Sequence, residues 1–69
     1  MEDKIFYNQA SSSKLGWTVN DFGCDDFDDH LIRAIKKFQK ENGLKADGLC
    51  GPGTYRRLTA KKESESETH

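Results

Sequence analysis

The chain of 69 residues holds one proline, two cysteines, one tryptophan and a net charge of only −1, and each shortage excludes something. No apolar run exceeds a few residues, far short of the ~20 that an α-helix needs to cross a bilayer. The opening MEDKIFYNQ lacks the apolar core of a signal peptide. With 11 basic against 12 acidic side chains, no overall field exists to gather nucleic acid or anionic lipid, so neither nucleic acid nor membrane is expected as a partner. Cys24 and Cys50 form no CxxC pair. They are read either as two free thiols or as one Cys24–Cys50 disulfide, and a zinc site with His30 would be short of a tetrahedral set of ligands. Neither a metal nor another cofactor is expected.

Catalytic signatures are missing as well. There is no GxSxG and no HExxH, and no cysteine and histidine stand in a nucleophile and base arrangement. His30 sits in an aspartate-rich stretch and reads as a surface residue. Asp25, Asp26, Asp28 and Asp29 lack the alternating order of a calcium loop and read as a capping, solvated turn. No catalytic residue is assigned. Hydrophobic and charged residues each make up 33% of the chain, and its mean hydropathy is −0.91, which together describe one small soluble domain with a modest core.

What is there is periodic. In DDFDDHLIRAIKKFQKENGL, Phe27, Leu31, Ala34, Ile35 and Phe38 recur on one face of a helix. Asp25 or Asp26 is expected to cap it, Asp28 and Asp29 suit its N-terminal dipole, and Lys36, Lys37 and Lys40 suit its C-terminal end. Asn42-Gly43 stops it, with Leu44 folding back on the last turn. The same stop in KLGW, Gly16 followed by Trp17, predicts an earlier helix over 8–15 with a sparse apolar face of Phe6, Ala10 and Trp17. TVNDFGCDD is expected as a loop anchored by Val19 and Phe22. A short third helix should start at Pro52, with Tyr55 and Leu58 facing inward. KKESESETH carries no large apolar residue and reads as a charged linker or disordered tail over 61–69, after a domain over 1–60. The fold class expected is all-α, a compact three-helix bundle. A stop glycine, an apolar hook, a loop with aspartate and glycine, and a new helix occur at 16–31 and again at 43–58, a pseudo-repeat of loop-helix units.

The second loop, GLKADGLCGPGTYRRL, concentrates four glycines and the proline. Gly48, Gly51 and Gly53 would let the backbone take positive φ and expose its amides at a helix N-terminus, a receiver for a carboxylate, an acetamido carbonyl or a phosphate. A tight connection between packed helices explains the same glycines without any ligand. Arg56 or Arg57 could grip an anion, and Tyr55 is the aromatic best placed for contact, Trp17 and Phe38 being claimed by the core.

The run AIKKFQKENGLKADGLCGPGTYRRL resembles a three-helix peptidoglycan-binding domain family of cell-wall lytic enzymes and endolysins. Ala34, Phe38, Gln39, Gly43, Leu44, Asp47, Gly48, Gly51, Pro52, Thr54 and Leu58 fall on its pattern, whereas Gly53 replaces a longer polar residue. With KLGWTVNDFGCDDFDDHLI as the first half, the resemblance covers about residues 5–60. It implies a non-catalytic, monomeric module that binds bacterial peptidoglycan, through glycan or stem peptide, and so targets an attached C-terminal hydrolase such as an amidase to the cell wall or periplasm. The ligand-side residues carried over are Asp47, Gly48, Gly51, Thr54, Tyr55 and Arg56, while Leu31, Phe38 and Leu58 are framework. The alternative is a domain that uses the same bundle to bind a protein partner.

Overall fold

The computed structural model describes residues 3–67, and these form three α-helices joined by one 3-10 turn, with no strand among them. Helix α1 spans Lys4–Leu15, the 3-10 turn Val19–Phe22, α2 Asp29–Glu41 and α3 Pro52–Glu67.

Helix α1 begins earlier than the expected start at Asn8. The cause is Asp3, whose Oδ1 accepts the Phe6 amide at 3.0 Å and satisfies one of the orphan donors of the first turn. The face of α1 turned inward is also not the apolar one expected. Phe6 is 67% exposed, and the buried residues of α1 are the polar Asn8 and Ser11. The helix ends as its sequence predicts, on Gly16 at φ +94°, whose amide reaches Ser12 O at 2.8 Å. Trp17 follows and is buried, its indole N–H donating to Ser11 Oγ at 3.1 Å.

Helix α2 supplies most of the core. Leu31, Ile35 and Phe38 are buried with Trp17, Cys50 and Leu58, while Leu15, Val19, Phe22, Phe27 and Tyr55 pack around them. The cap is Asp28 in place of Asp25 or Asp26, its Oδ1 accepting the amides of His30 and Leu31. Phe27 therefore lies just outside the helix, and it reaches the core from the preceding turn with its ring centroid 5.9 Å from that of Trp17. At the other end Gly43 takes φ +69°, its amide bonds Lys40 O, and the Leu44 amide bonds Gln39 O at 2.8 Å. That pair of bonds is the Schellman closure expected from Asn-Gly-Leu.

Helix α3 is longer than the short element expected. It runs past Ala60 through the stretch read as linker or tail to Glu67, while residues 68 and 69 lie outside the described ones. Lysine, glutamate and alanine are good helix formers and need no apolar face to continue a helix already begun. Contacts that tie the extension to the body include Lys62 Nζ, 3.3 Å from Asp21 Oδ1, and Lys61 Nζ, 5.8 Å from the Phe38 ring centre. Both cysteines are free, so no disulfide joins Cys24 to Cys50. Among the described residues no helix is long and apolar enough to cross a membrane.

Candidate functional site

The loop between α2 and α3 is bound from within by two buried amides. Gln39, 2% exposed on α2, accepts the Gly48 amide on Oε1 at 3.0 Å. Its Nε2 stands 3.0 Å from Asp47 Oδ1, Leu49 O and Thr54 Oγ1, so two hydrogens serve three oxygens. Asn8, fully buried on α1, donates from Nδ2 to Gly48 O at 3.1 Å and accepts the Cys50 amide on Oδ1 at 2.9 Å. Its side chain thus meets the backbone of residues 48–50 as a neighbouring peptide group would. Ser11 Oγ adds a bond to Cys50 O, and Lys4 Nζ donates to Asp47 O at 2.8 Å. Among the described residues, every buried side-chain nitrogen and oxygen has a partner.

This wiring corrects the expectation that the loop exposes its backbone amides. The amides of Asp47, Gly48, Leu49, Cys50 and Gly51 all donate within the molecule, to Lys45 O, Gln39 Oε1, Asp47 Oδ1, Asn8 Oδ1 and Leu49 O. The glycines also divide in role. Gly48 alone of Gly48, Gly51 and Gly53 has positive φ, +78°, and a Cβ there would come within 2.8 Å of Ile32 Cγ2. At Gly51 a Cβ would meet the Tyr7 hydroxyl at 3.0 Å, a contact that the exposed tyrosine can relieve by shifting, and a Cβ on Gly53 would meet nothing.

The six residues carried over as ligand-side therefore occupy different layers. Gly48 and Thr54 are buried, Thr54 with its hydroxyl accepting from Gln39, and both shape the loop from inside. Tyr55 is half-buried and packs against the core cluster. Arg56 is exposed, with no ionic partner among the described residues. Asp47 and Gly51 remain partly accessible and border a recess of about 260 Å³, together with Tyr7, Leu44, Lys45 and Gly53. Burial alone would raise the Asp47 carboxyl's pKa. The Leu49 amide, the Gln39 amide, its own backbone amide and the charge of Lys4 outweigh that effect and hold it below the ordinary 3.8, so the group is ionised at neutral pH.

Three contributors were not read as site residues from the sequence. Tyr7, 38% exposed, borders the recess, whereas Tyr55 does not line it. Asn8 and Gln39 hold the loop's shape. The available signal was an amide at a buried position of each helix, but their partners are backbone atoms of the loop, which no side-chain pattern marks.

The geometry is that of a small all-α domain with a glycine-walled recess beside a loop held by buried amides. Residues 13–58 match the peptidoglycan-binding domain family, and the chain belongs to it. The match takes in the whole recess loop and α2, and the family is a binding domain with no catalytic part of its own. The chain is also 36% identical over 50 residues to a protein named "Probable N-acetylmuramoyl-L-alanine amidase" from Bacillus licheniformis. That alignment covers 71% of this chain but 14% of the amidase. No solved structure gives a significant match.

Proposed function

We propose that this domain holds an attached cell-wall hydrolase, an amidase being the first candidate, on bacterial peptidoglycan, and that it does so through the corner 47–56. The observation that supports this reading is that the family match takes in the loop whose shape is fixed by buried amides from α1 and α2. The hydrogen bonds that Asp47 accepts from Gln39 and Leu49 both fall on Oδ1, and its partly accessible carboxylate offers a further acceptor to a sugar hydroxyl or a peptide amide. Tyr7 offers a ring to a sugar face or a stem peptide, and Arg56 offers a fork of donors to a carboxylate. Gly48 and Thr54 keep the corner in shape.

Co-sedimentation with purified insoluble peptidoglycan tests the reading. Retention is expected for the wild type and reduced retention for a double variant Asp47→Ala/Arg56→Ala that keeps its helical circular dichroism. Retention no greater than that of a control protein of equal charge overturns it. Binding of a protein partner at the same corner, with none to peptidoglycan, would instead favour a protein-interaction domain.

A further inference from the structure

A second recess, also of about 260 Å³, adjoins the first across the Tyr7 side chain, which borders both. Apart from Tyr7 and Pro52, its lining lies outside the corner 47–56 and the residues assigned above. Its wall is one face of α1, made of Tyr7, Ala10, Ser11, Lys14 and Leu15, and Pro52 closes it from the first turn of α3. The lining is mostly apolar. Ser11 has no donor to spare, because its one hydroxyl hydrogen already goes to Cys50 O, and it also accepts from the Trp17 indole. Lys14 differs: it is exposed and has no ionic partner among the described residues. The recess is smaller than the ~300–1,000 Å³ typical of drug-sized ligands, which limits its occupant to one or two small residues.

A small apolar hollow edged by one unpaired ammonium matches one chemical group well, a short aliphatic side chain next to a free carboxylate. We propose that this recess receives the C-terminal alanine of a peptide, with the methyl group against Ala10, Leu15 and Pro52 and the carboxylate on Lys14. The proposal rests on the peptidoglycan reading for its source of ligand, since the alanine-ended stem peptide of an uncross-linked strand would reach this recess while the rest of the muropeptide lies over Tyr7 and Asp47. The carboxylate interacts with the lysine as a charge-assisted hydrogen bond, so the free acid is what the site selects.

The probe is D-alanyl-D-alanine, compared with its C-terminal amide, titrated into the nitrogen-15-labelled protein. The backbone signals of Ala10, Lys14 and Leu15 are expected to shift with the acid, and binding is expected to weaken about tenfold with the amide or in Lys14→Gln, the order of magnitude of one hydrogen bond to a charged group. Lys14→Arg should retain binding. Ala10→Leu, which fills the hollow from an exposed helix position, should abolish it. Equal shifts for acid and amide, or none with either, overturn the proposal. Retention on insoluble peptidoglycan is scored on the same preparations. Retention without dipeptide shifts removes the second recess and leaves the proposed function standing, whereas dipeptide shifts without retention support the recess and overturn the wall reading.

Discussion

The two loop-helix units of this domain close their corners in opposite ways. Each leaves a helix through a glycine at positive φ, Gly16 in one and Gly43 in the other, and each places a second such glycine further on, Gly23 and Gly48. The first corner is then filled with rings. Trp17 meets Phe22 edge-on with centroids 5.4 Å apart, Phe22 meets Phe38 at 5.6 Å, and Phe27 completes the group. The second has no aromatic within its loop, and its backbone polar groups are satisfied by Gln39, Asn8 and Asp47. Bulk closes the first corner. Hydrogen bonds close the second, which leaves a thin, glycine-walled surface with a recess on either side of Tyr7. Nearly equivalent pieces of chain thus serve as core and as candidate contact surface, depending on whether the filling is apolar or amide.

Breaking the aromatic corner should have the largest effect. Trp17→Ala removes a buried indole and leaves a cavity, at a cost of about 4 kcal/mol. A chain of this size has a total stability of roughly 3–10 kcal/mol. Thermal unfolding followed by circular dichroism should show this variant unfolded or without a cooperative transition. The amide corner should answer differently. Gln39→Ala leaves the Gly48 amide without its buried acceptor and takes a donor from Asp47, Leu49 and Thr54, for a loss of about 3 kcal/mol. Its signature is local: amide hydrogen exchange at Gly48 and Leu49 should accelerate beyond what the global destabilisation accounts for.

How much of this contrast was legible in advance depends on which atoms carry it. The aromatic corner and α2 announce themselves through apolar side chains at helical spacing, and the stop signals at Gly16 and Gly43 follow from backbone chemistry that glycine alone satisfies easily. The start of α1 was missed because its cap is Asp3 and its inner face is polar. The length of α3 was missed because it rests on the helix propensity of lysine and glutamate, with no apolar stripe to mark it. At the candidate site, glycines were visible but their division of labour was not. Asn8 meets residues 40 and 42 positions away, and its partners are main-chain atoms. Nothing in the identity of Gly48 or Cys50 shows that an asparagine on another helix pairs with their backbone.

Glycine substitutions sharpen the comparison at smaller cost. Gly48→Ala combines a positive φ with a 2.8 Å clash against Ile32 and should lose about 2 kcal/mol. Gly53→Ala, in open space and within the first turn of α3, should gain up to about 1 kcal/mol. Chemical denaturation of the pair separates the glycine that the corner requires from the one it merely contains.

The smallest effect is one of pH. Because Asp47 titrates below 3.8 in the folded chain, its contribution is fully present above the unfolded value and is lost as pH falls through the folded one. The melting temperature of the wild type should therefore fall more steeply below about pH 4 than that of Asp47→Asn, whose acid limb should be flatter. Parallel acid limbs would mean that the Leu49 and Gln39 bonds do not favour the ionised form.

The central claim is that the amide-closed corner is the wall-facing one and the aromatic corner is not. Titration of a soluble muropeptide into the nitrogen-15-labelled domain tests it most directly. The account predicts that the signals of Tyr7, Asp47, Leu49, Gly51 and Arg56 move together while those of Gly23 to Asp28 stay still. Movement confined to the aromatic corner, with residues 47–56 unchanged at saturation, would contradict it.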